Sequence, residues 1–487
     1  MKIIQLISQL ADQLMTEKGF VPYFPNEVIQ QLSEIIVPAK LQPEDKDLRS
    51  LLWSSIDNDD SRDLDQLTYA EKGIDSNTTI WVAIADVDAL VKKNTPIDIH
   101  AQINTTSVYT PTKIFSMLPE KLSTNLTSLN ENEDRCAIIV QMDINDSGEI
   151  IKASIFPAMV KNHAKLTYSS IGNWLEGKSD IPTKVKQING LKEILNLQHE
   201  IAQLLKRKRH EAGSLTLDSA NVEIRISPQE NIQIQSPDHN FAHQLIEEFM
   251  IAANQTVANH FNRTKTPSLR RIVRIPKDWD RIVEVAMTYG EKLPKEPNAK
   301  ALDNFLIERK KIDPISFPDL SLTIIKLLGR GEYVVQNDPQ KEIGHFALAL
   351  PAYTQSTAPN RRFPDLISQR QYKALLKHAE AAYSLDELYL LASHCTQQED
   401  GAMKIERRLN KSAAAALLTS EIGKTYKGII TGANDKGTWV RIIQPPIEGK
   451  IVKGYKGLKV GDKVTVRLKQ VDVPNGFIDF VVETKKY

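Results

Sequence analysis

Only two of the 487 residues are cysteine, Cys136 and Cys395, so the chain has no disulfide framework and no cysteine-based metal spacing, a usage that suits a reducing compartment. Long apolar runs are missing too. None approaches the roughly 20 residues of a membrane-spanning helix, and the first twenty residues alternate apolar with charged ones instead of forming a signal-peptide core. The expectation is a cytoplasmic protein without a membrane partner. Net charge is nearly absent at +1, yet 41% hydrophobic and 25% charged residues make an ordinary globular balance, enough for two or three domains around one large core.

The near-neutral total hides an asymmetry. Gly423 to Tyr487 carry 13 Lys+Arg against 6 Asp+Glu, a surplus of seven positive charges, while the other 422 residues carry 49 against 55. A compact basic module joined to a larger, slightly acidic body suits a polyanion that one part grips and the other processes.

Negative charge is concentrated in one stretch. Asp57, Asp59, Asp60, Asp63 and Asp65 fall within nine residues, directly after the apolar Leu51, Leu52, Trp53 and Ile56. Such crowding is relieved by protonation, by Lys or Arg partners, or by a divalent ion, and Arg62 is the single arginine inside the run. Asp63 and Asp65 are two apart and point the same way in an extended segment, and Asp57 can reach them if the chain between loops back. One reading is a hard-metal site, since magnesium takes a few carboxylates plus waters and phosphate oxygens. The other is a solvated turn or helix cap. A calcium loop of the EF-hand type is excluded by Arg62 and Thr68, which stand where glycine and glutamate are required. Ile80 to Ala85 read as an interior strand, which favours a buried site.

Ile3, Ile4, Ile7, Leu10 and Leu14 have helical spacing, and a second short helix is expected over Asn26 to Ile36, with a linker from Val37 to Asp47. Strands and turns are expected from Leu48 to about Ser170, long helices after about Ile188 and again over residues 365 to 420. The last 65 residues form five short alternating runs: Tyr426–Thr431, Trp439–Ile443, Gly449–Val452, Lys463–Leu468 and Phe477–Val482. The expected architecture is α+β and multidomain: a helical segment and linker (1–47), a mixed α/β catalytic domain (48–395), a connecting helix (396–422) and a five-stranded OB-fold barrel (423–487).

Within this order, Asp57 to Gln66, Ile84-Ala85-Asp86-Val87, Ser107-Val108-Tyr109-Thr110-Pro111, Met117 to Ser123 and Lys165-Leu166-Thr167-Tyr168 follow one another as in the catalytic (RNB) domain of the ribonuclease II family. Leu245 to Met250 with Ala253-Asn254, Gly344-His345-Phe346 and Ala358 to Leu366 continue the resemblance, which covers about Leu48 to Ser420. The barrel resembles the S-one type of RNA-binding domain, in which Trp439, Tyr426 and Tyr455 are candidates to stack bases while lysines track phosphates.

The resemblance implies a hydrolytic exoribonuclease that shortens single-stranded RNA from its 3′ end and releases nucleoside 5′-monophosphates. It uses magnesium, with manganese as a substitute; no protein partner is expected. It places Asp57, Asp63, Asp65 and Gln66 at the metal, Asp63, Asp65 and Arg361 in catalysis, and Tyr109, Tyr168, Glu248, Arg362 and Glu406 on the RNA. Locally, Arg361 and Arg362 lie between Pro359 and Pro364, suited either to holding phosphate oxygens or to pairing with Asp365. Tyr109 precedes Pro111 and is either a base-stacking face or a core residue. Glu399 and Glu406, seven apart, share a helix face and read as solvated, with Glu406 where the family's substrate-proximal glutamate lies.

Two departures qualify the resemblance. The family's aspartate motif ends in two adjacent aspartates, and here the second is Gln66, which offers a neutral oxygen but no charge, with Asp59 or Asp60 available as supplements. This leaves an RNA-binding protein with weak or no hydrolysis as the alternative. The roughly 45 residues ahead of the catalytic domain are too few for tandem cold-shock barrels, so RNA capture is expected mainly from the C-terminal module.

Overall fold

The computed structural model describes residues 3–73, 77–218, 223–227, 232–235, 239–338 and 343–484. Its centre is a six-stranded sheet ordered Lys46–Asp47, Ile150–Thr167, Trp53–Asp57, Gln66–Lys72, Thr78–Ala85 and Asp134–Ile144. The 18-residue strand Ile150–Thr167 also pairs with Asp134–Ile144, so the sheet curls back on itself.

Thr78–Ala85 explains why its apolar run is unbroken. Ile80, Val82 and Ile84 face one core with the helices Leu191–Ala212 and Phe241–Thr264, while Ala83 and Ala85 face another with Phe363–Leu376. A strand covered on both sides has no polar face to alternate with. The helix Leu191–Ala212 begins after Gly190 and ends at Gly213, whose φ of 99° is the left-handed conformation that stops a helix at low cost for glycine. Asn26–Glu34 and Ile3–Glu17 form as expected. Pro96–Asn104 is a helix inside the region where strands and turns were expected; its buried Ile97, Ala101 and Asn104 give the stripe, but only over nine residues.

The expected boundary at residues 395 and 396 falls within one continuous helix, Leu385–Leu418. A capping box of Ser384 and Glu387 starts it, and its glycine, Gly401, packs against the Phe20 ring, where a Cβ would come within 3.0 Å. Its first half buries Leu388, Leu391 and Cys395 in the body's core, and its second half joins a core shared with Ile3–Glu17 and the C-terminal strands. Among the described residues no helix is long and apolar enough to cross a membrane.

All five expected C-terminal runs are strands, Thr425–Asn434, Gly437–Ile442, Glu448–Lys453, Lys463–Asp472 and Phe477–Thr484, and they close into a barrel. Arg441 on the barrel donates to both carboxylate oxygens of the buried Asp319, at 3.0 and 2.7 Å, on the helix Phe317–Leu328.

Phe363–Leu376 is anchored by Arg370, which donates to Asp98 at 2.7 Å, Asp88 at 3.1 Å, the Tyr383 hydroxyl at 2.7 Å and the Val91 carbonyl at 2.7 Å. Arg370 and Asp98 are both almost fully buried. Removing one partner of such a pair strands the other charge, so Asp98→Ala is expected to cost about 3–5 kcal/mol in chemical denaturation. A loss under about 1 kcal/mol would mean that the network does not anchor this helix.

Candidate active site

The acidic run is the loop between the strands Trp53–Asp57 and Gln66–Lys72. Leu64 is pulled into the core, where its N–H donates to the Ser128 hydroxyl at 2.9 Å and its carbonyl accepts from Leu129 at 2.9 Å. Asp57 and Asp65 sit at the two ends of the loop and are 8% and 2% exposed. One oxygen of Asp65 accepts from the Asn360 N–H at 3.0 Å, and one of Asp57 accepts from the Gln66 amide at 3.3 Å. The second oxygen of each is buried without a hydrogen bond.

Burial dominates the electrostatics. Desolvation pushes both Asp57 and Asp65 up to about 7, with Asp63 adding like charge and Arg361 opposing. Asp63, partly buried, is also raised by desolvation. The Arg361 guanidinium lies 3.4 Å from Asp65 without forming a hydrogen bond, and its side chain is 43% exposed, so it offsets only part of that cost. Lys165 adds positive charge toward Asp57 while donating to the Ser61 carbonyl. The supplements Asp59 and Asp60 are engaged elsewhere, with the Ser169 hydroxyl and Arg225.

Among the described residues no group of three or more His, Cys, Asp or Glu side chains stands in metal-holding geometry. The donors still suit a hard cation that takes most of its ligands from water and substrate. Two buried carboxylate oxygens accept no hydrogen bond, and a further nearby positive charge is what would relieve their desolvation.

Tyr109, Tyr168 and Glu406 gather here. The Tyr109 residue is 41% exposed but stands in a crowded cleft; desolvation raises its phenol to about 12, Arg361 opposes, and Asp63, Asp65 and Glu406 add to the rise. Its backbone N–H donates to Glu406 at 2.9 Å, so this glutamate is joined to the tyrosine's main chain. Tyr168 follows Thr167, the strand neighbour of Asp57, and its phenol is raised by desolvation and by Asp57.

Other expected residues lie differently. Glu248 is buried, and both its oxygens accept from Arg209, at 2.7 and 2.5 Å, while Glu247 is the exposed one of the pair. Arg362 turns away from its neighbour Arg361 and donates to Asp365 at 2.7 Å. Glu399, read as solvated, is instead paired with Arg271 at 2.8 Å. On the barrel Tyr455 is 45% exposed and Trp439 half-buried, whereas Tyr426 packs edge-on against Phe480 and donates to Glu421. Sequence reasoning missed Asn360, which acts through its main chain, and His243, whose ring stacks on Tyr168; Lys165 falls inside one of the family motifs, which pointed to Tyr168 alone.

A curled mixed sheet with an acidic loop joining two of its central strands, continued by a closed OB-type barrel, is an architecture shared with known RNA-processing proteins. Residues 45–378 match the RNB domain and residues 424–483 match the RNase II-type exonuclease C-terminal S1 domain. The first match takes in more than half of the chain, which therefore belongs to the RNB family. The chain is 29% identical over 498 residues to Ribonuclease R of Escherichia coli, covering 94% of this chain and 60% of that protein. It is also 29% identical over 499 residues to Ribonuclease R of Thermotoga maritima, covering 94% and 68%. Mycoplasma genitalium RNase R in complex with ribose methylated single-stranded RNA superimposes with a TM-score of 0.85 at 23% identity, over 97% of this chain and 77% of that one.

The raised carboxylates give a signed pH effect. Their folded values lie above the unfolded value, so between about pH 4 and 7 the folded chain holds protons that the unfolded chain has released, and stability falls as pH rises through that window. In EDTA, Asp57→Asn is expected to be more stable than the parent at pH 8, by about 4 kcal/mol, with the difference closing toward pH 4. Denaturant titrations at several pH values check this; a difference independent of pH would contradict it.

Proposed function

We propose that this chain is a hydrolytic exoribonuclease, acting in the cytoplasm on single-stranded RNA from the 3′ end, releasing nucleoside 5′-monophosphates, with magnesium or manganese at the aspartates. The observation that carries the reading is the buried pair Asp57 and Asp65, each with an oxygen that accepts no hydrogen bond, beside a half-exposed Arg361. The relatives' name, Ribonuclease R, and the single-stranded RNA in the similar Mycoplasma genitalium structure support it. The chain spans about 60% of the length of the Escherichia coli relative.

The residues divide the work among them. A divalent cation held by Asp57, Asp63 and Asp65 would supply Lewis-acid polarisation of the scissile phosphate. Arg361 keeps a side chain that phosphate can reach, and its planar fork suits the charge that grows on the phosphoryl oxygens. Attack by water forms one P–O bond as the bond to the 3′-oxygen breaks; that oxygen takes a proton and becomes the new 3′-hydroxyl, and the nucleotide leaves with its 5′-phosphate. Tyr109 stacks the terminal base, for about 1–3 kcal/mol without preference for its identity, and Glu406 holds the main chain of that tyrosine. Tyr168 contacts the sugar. Arg362, tied to Asp365, fixes the loop that aims Arg361, and Glu248 fixes Arg209. Gln66 contributes an N–H to Asp57 and leaves three aspartates in place.

A 5′-labelled oligoribonucleotide with magnesium is expected to shorten stepwise, and to stay intact in EDTA. Asp65→Asn and Arg361→Ala are each expected to slow this by about 10²–10³-fold, and Gln66→Asp to change an existing rate instead of creating one. Internal cuts, or an Asp65→Asn protein as active as its parent, would sink the assignment.

The barrel supplies grip. Deleting it would tear the core shared with Ile3–Glu17 and Leu385–Leu418, so the cleaner test is Lys450→Ala with Lys453→Ala on its exposed surface. The slope of log affinity against log salt for single-stranded RNA is expected to fall by about 0.7 for each phosphate that the variant no longer neutralises. An unchanged slope would take RNA capture away from this face of the barrel.

A further inference from the structure

Tyr168 does not stand alone. The His243 ring lies nearly parallel to it, 3.9 Å between centroids and 14° between planes, a stack that occupies one face of the tyrosine. His243 belongs to the first turn of Phe241–Thr264, capped by Asn240, whose side-chain oxygen accepts from the N–H groups of Ala242 and His243 at 3.0 and 3.2 Å. The same Asn240 donates through its amide to the Tyr168 carbonyl at 2.9 Å. The helix that Tyr168 opens, Tyr168–Leu175, comes so close that a Cβ on Gly172 would lie 2.1 Å from the Asn240 side-chain carbon, so only glycine admits the cap there. Phe241 N–H donates to Glu176 just beyond that helix, at 3.1 Å.

Two helix ends are therefore clamped together around one tyrosine, from the ring side by His243 and from the main-chain side by Asn240. His243 covers one face of the ring, and the hydroxyl stands in the field of Asp57 and Arg361. A plate fixed in this way can tell a ribose from a deoxyribose, because a 2′-hydroxyl reads as a hydrogen-bond partner only if its counterpart is held in place.

We infer that His243 is a specificity-determining positioning residue, which backs Tyr168 so that the enzyme favours a ribose over a deoxyribose at the bound end of the strand. The inference rests on the sugar-contacting role given to Tyr168 above. The test compares kcat/KM on an oligoribonucleotide with that on the same strand carrying 2′-deoxy sugars at its terminal nucleotides, for the parent, His243→Ala, His243→Phe, Tyr168→Ala and the Tyr168→Ala/His243→Ala double variant, each with its Tm.

Loss of an aromatic stack is expected to lower the ribose preference of His243→Ala by about two- to tenfold. His243→Phe is expected to restore the preference, since it keeps the stack, and the double variant to match Tyr168→Ala alone. A His243→Ala protein that keeps the parent's preference while Tyr168→Ala loses it overturns the inference and leaves the reading of Tyr168 intact. So does a His243→Ala protein slowed equally on both strands with a lowered Tm, which would make the stack merely structural. Undiminished preference in Tyr168→Ala overturns the sugar-contact reading itself, and the role of His243 with it.

Discussion

The desolvation of two aspartates is the constraint around which the rest of the site is arranged. Asp57 and Asp65 are taken out of water at the ends of neighbouring strands, and nothing among the described residues fully repays that cost. A second acidic group shows that the chain can do otherwise. Asp88 is also largely enclosed, and desolvation acts on it too, yet Lys373, Lys92 and Arg370 hold its carboxyl below its ordinary value. The same residue type is satisfied in one place and left wanting in the other, and the place left wanting opens toward Arg361 and Tyr109. Residual local strain of this kind is expected where a ligand completes the structure.

The satisfied cluster serves the unsatisfied one. Arg370 ties Phe363–Leu376 to Asp88, Asp98 and Tyr383, and the segment just before that helix carries Asn360, Arg361 and Arg362. The main chain at Asn360 meets Asp65, and the Ser107 N–H donates to the Arg361 carbonyl at 3.0 Å, so the loop is stitched both to the acidic run and to the segment bearing Tyr109. The arginine's aim is thus set by backbone bonds on either side of it.

What could be read from the sequence follows from how local each signal is. The interior strand at Ile80, the loop bearing the aspartates and all five barrel strands announce themselves through runs and alternation spanning only a few residues. Partners far apart in the chain leave no such trace. Glu248 and Glu247 are adjacent on one helix, and the buried one is the one that takes two hydrogen bonds from Arg209, 39 residues away. Asn360 acts through a backbone N–H that any residue but proline would supply, and the stack of His243 on Tyr168 joins residues 75 apart in the chain. The helix that crosses residue 395 runs on for a related reason: it has a core to join on each half of its length.

That continuity sets a timetable for synthesis. The apolar stripe of Ile3–Glu17, with Ile7, Ala11 and Met15 fully enclosed, is covered by residues of Leu385–Leu418 that emerge from the ribosome nearly 400 residues later. At about 5–20 residues per second the early helix waits roughly 20 to 80 s for its cover. During that interval it is a sticky amphipathic segment on a growing chain, and a contact of such long sequence separation is among the slow ones to form. A helix made that far ahead of its cover is thus among the elements that settle late.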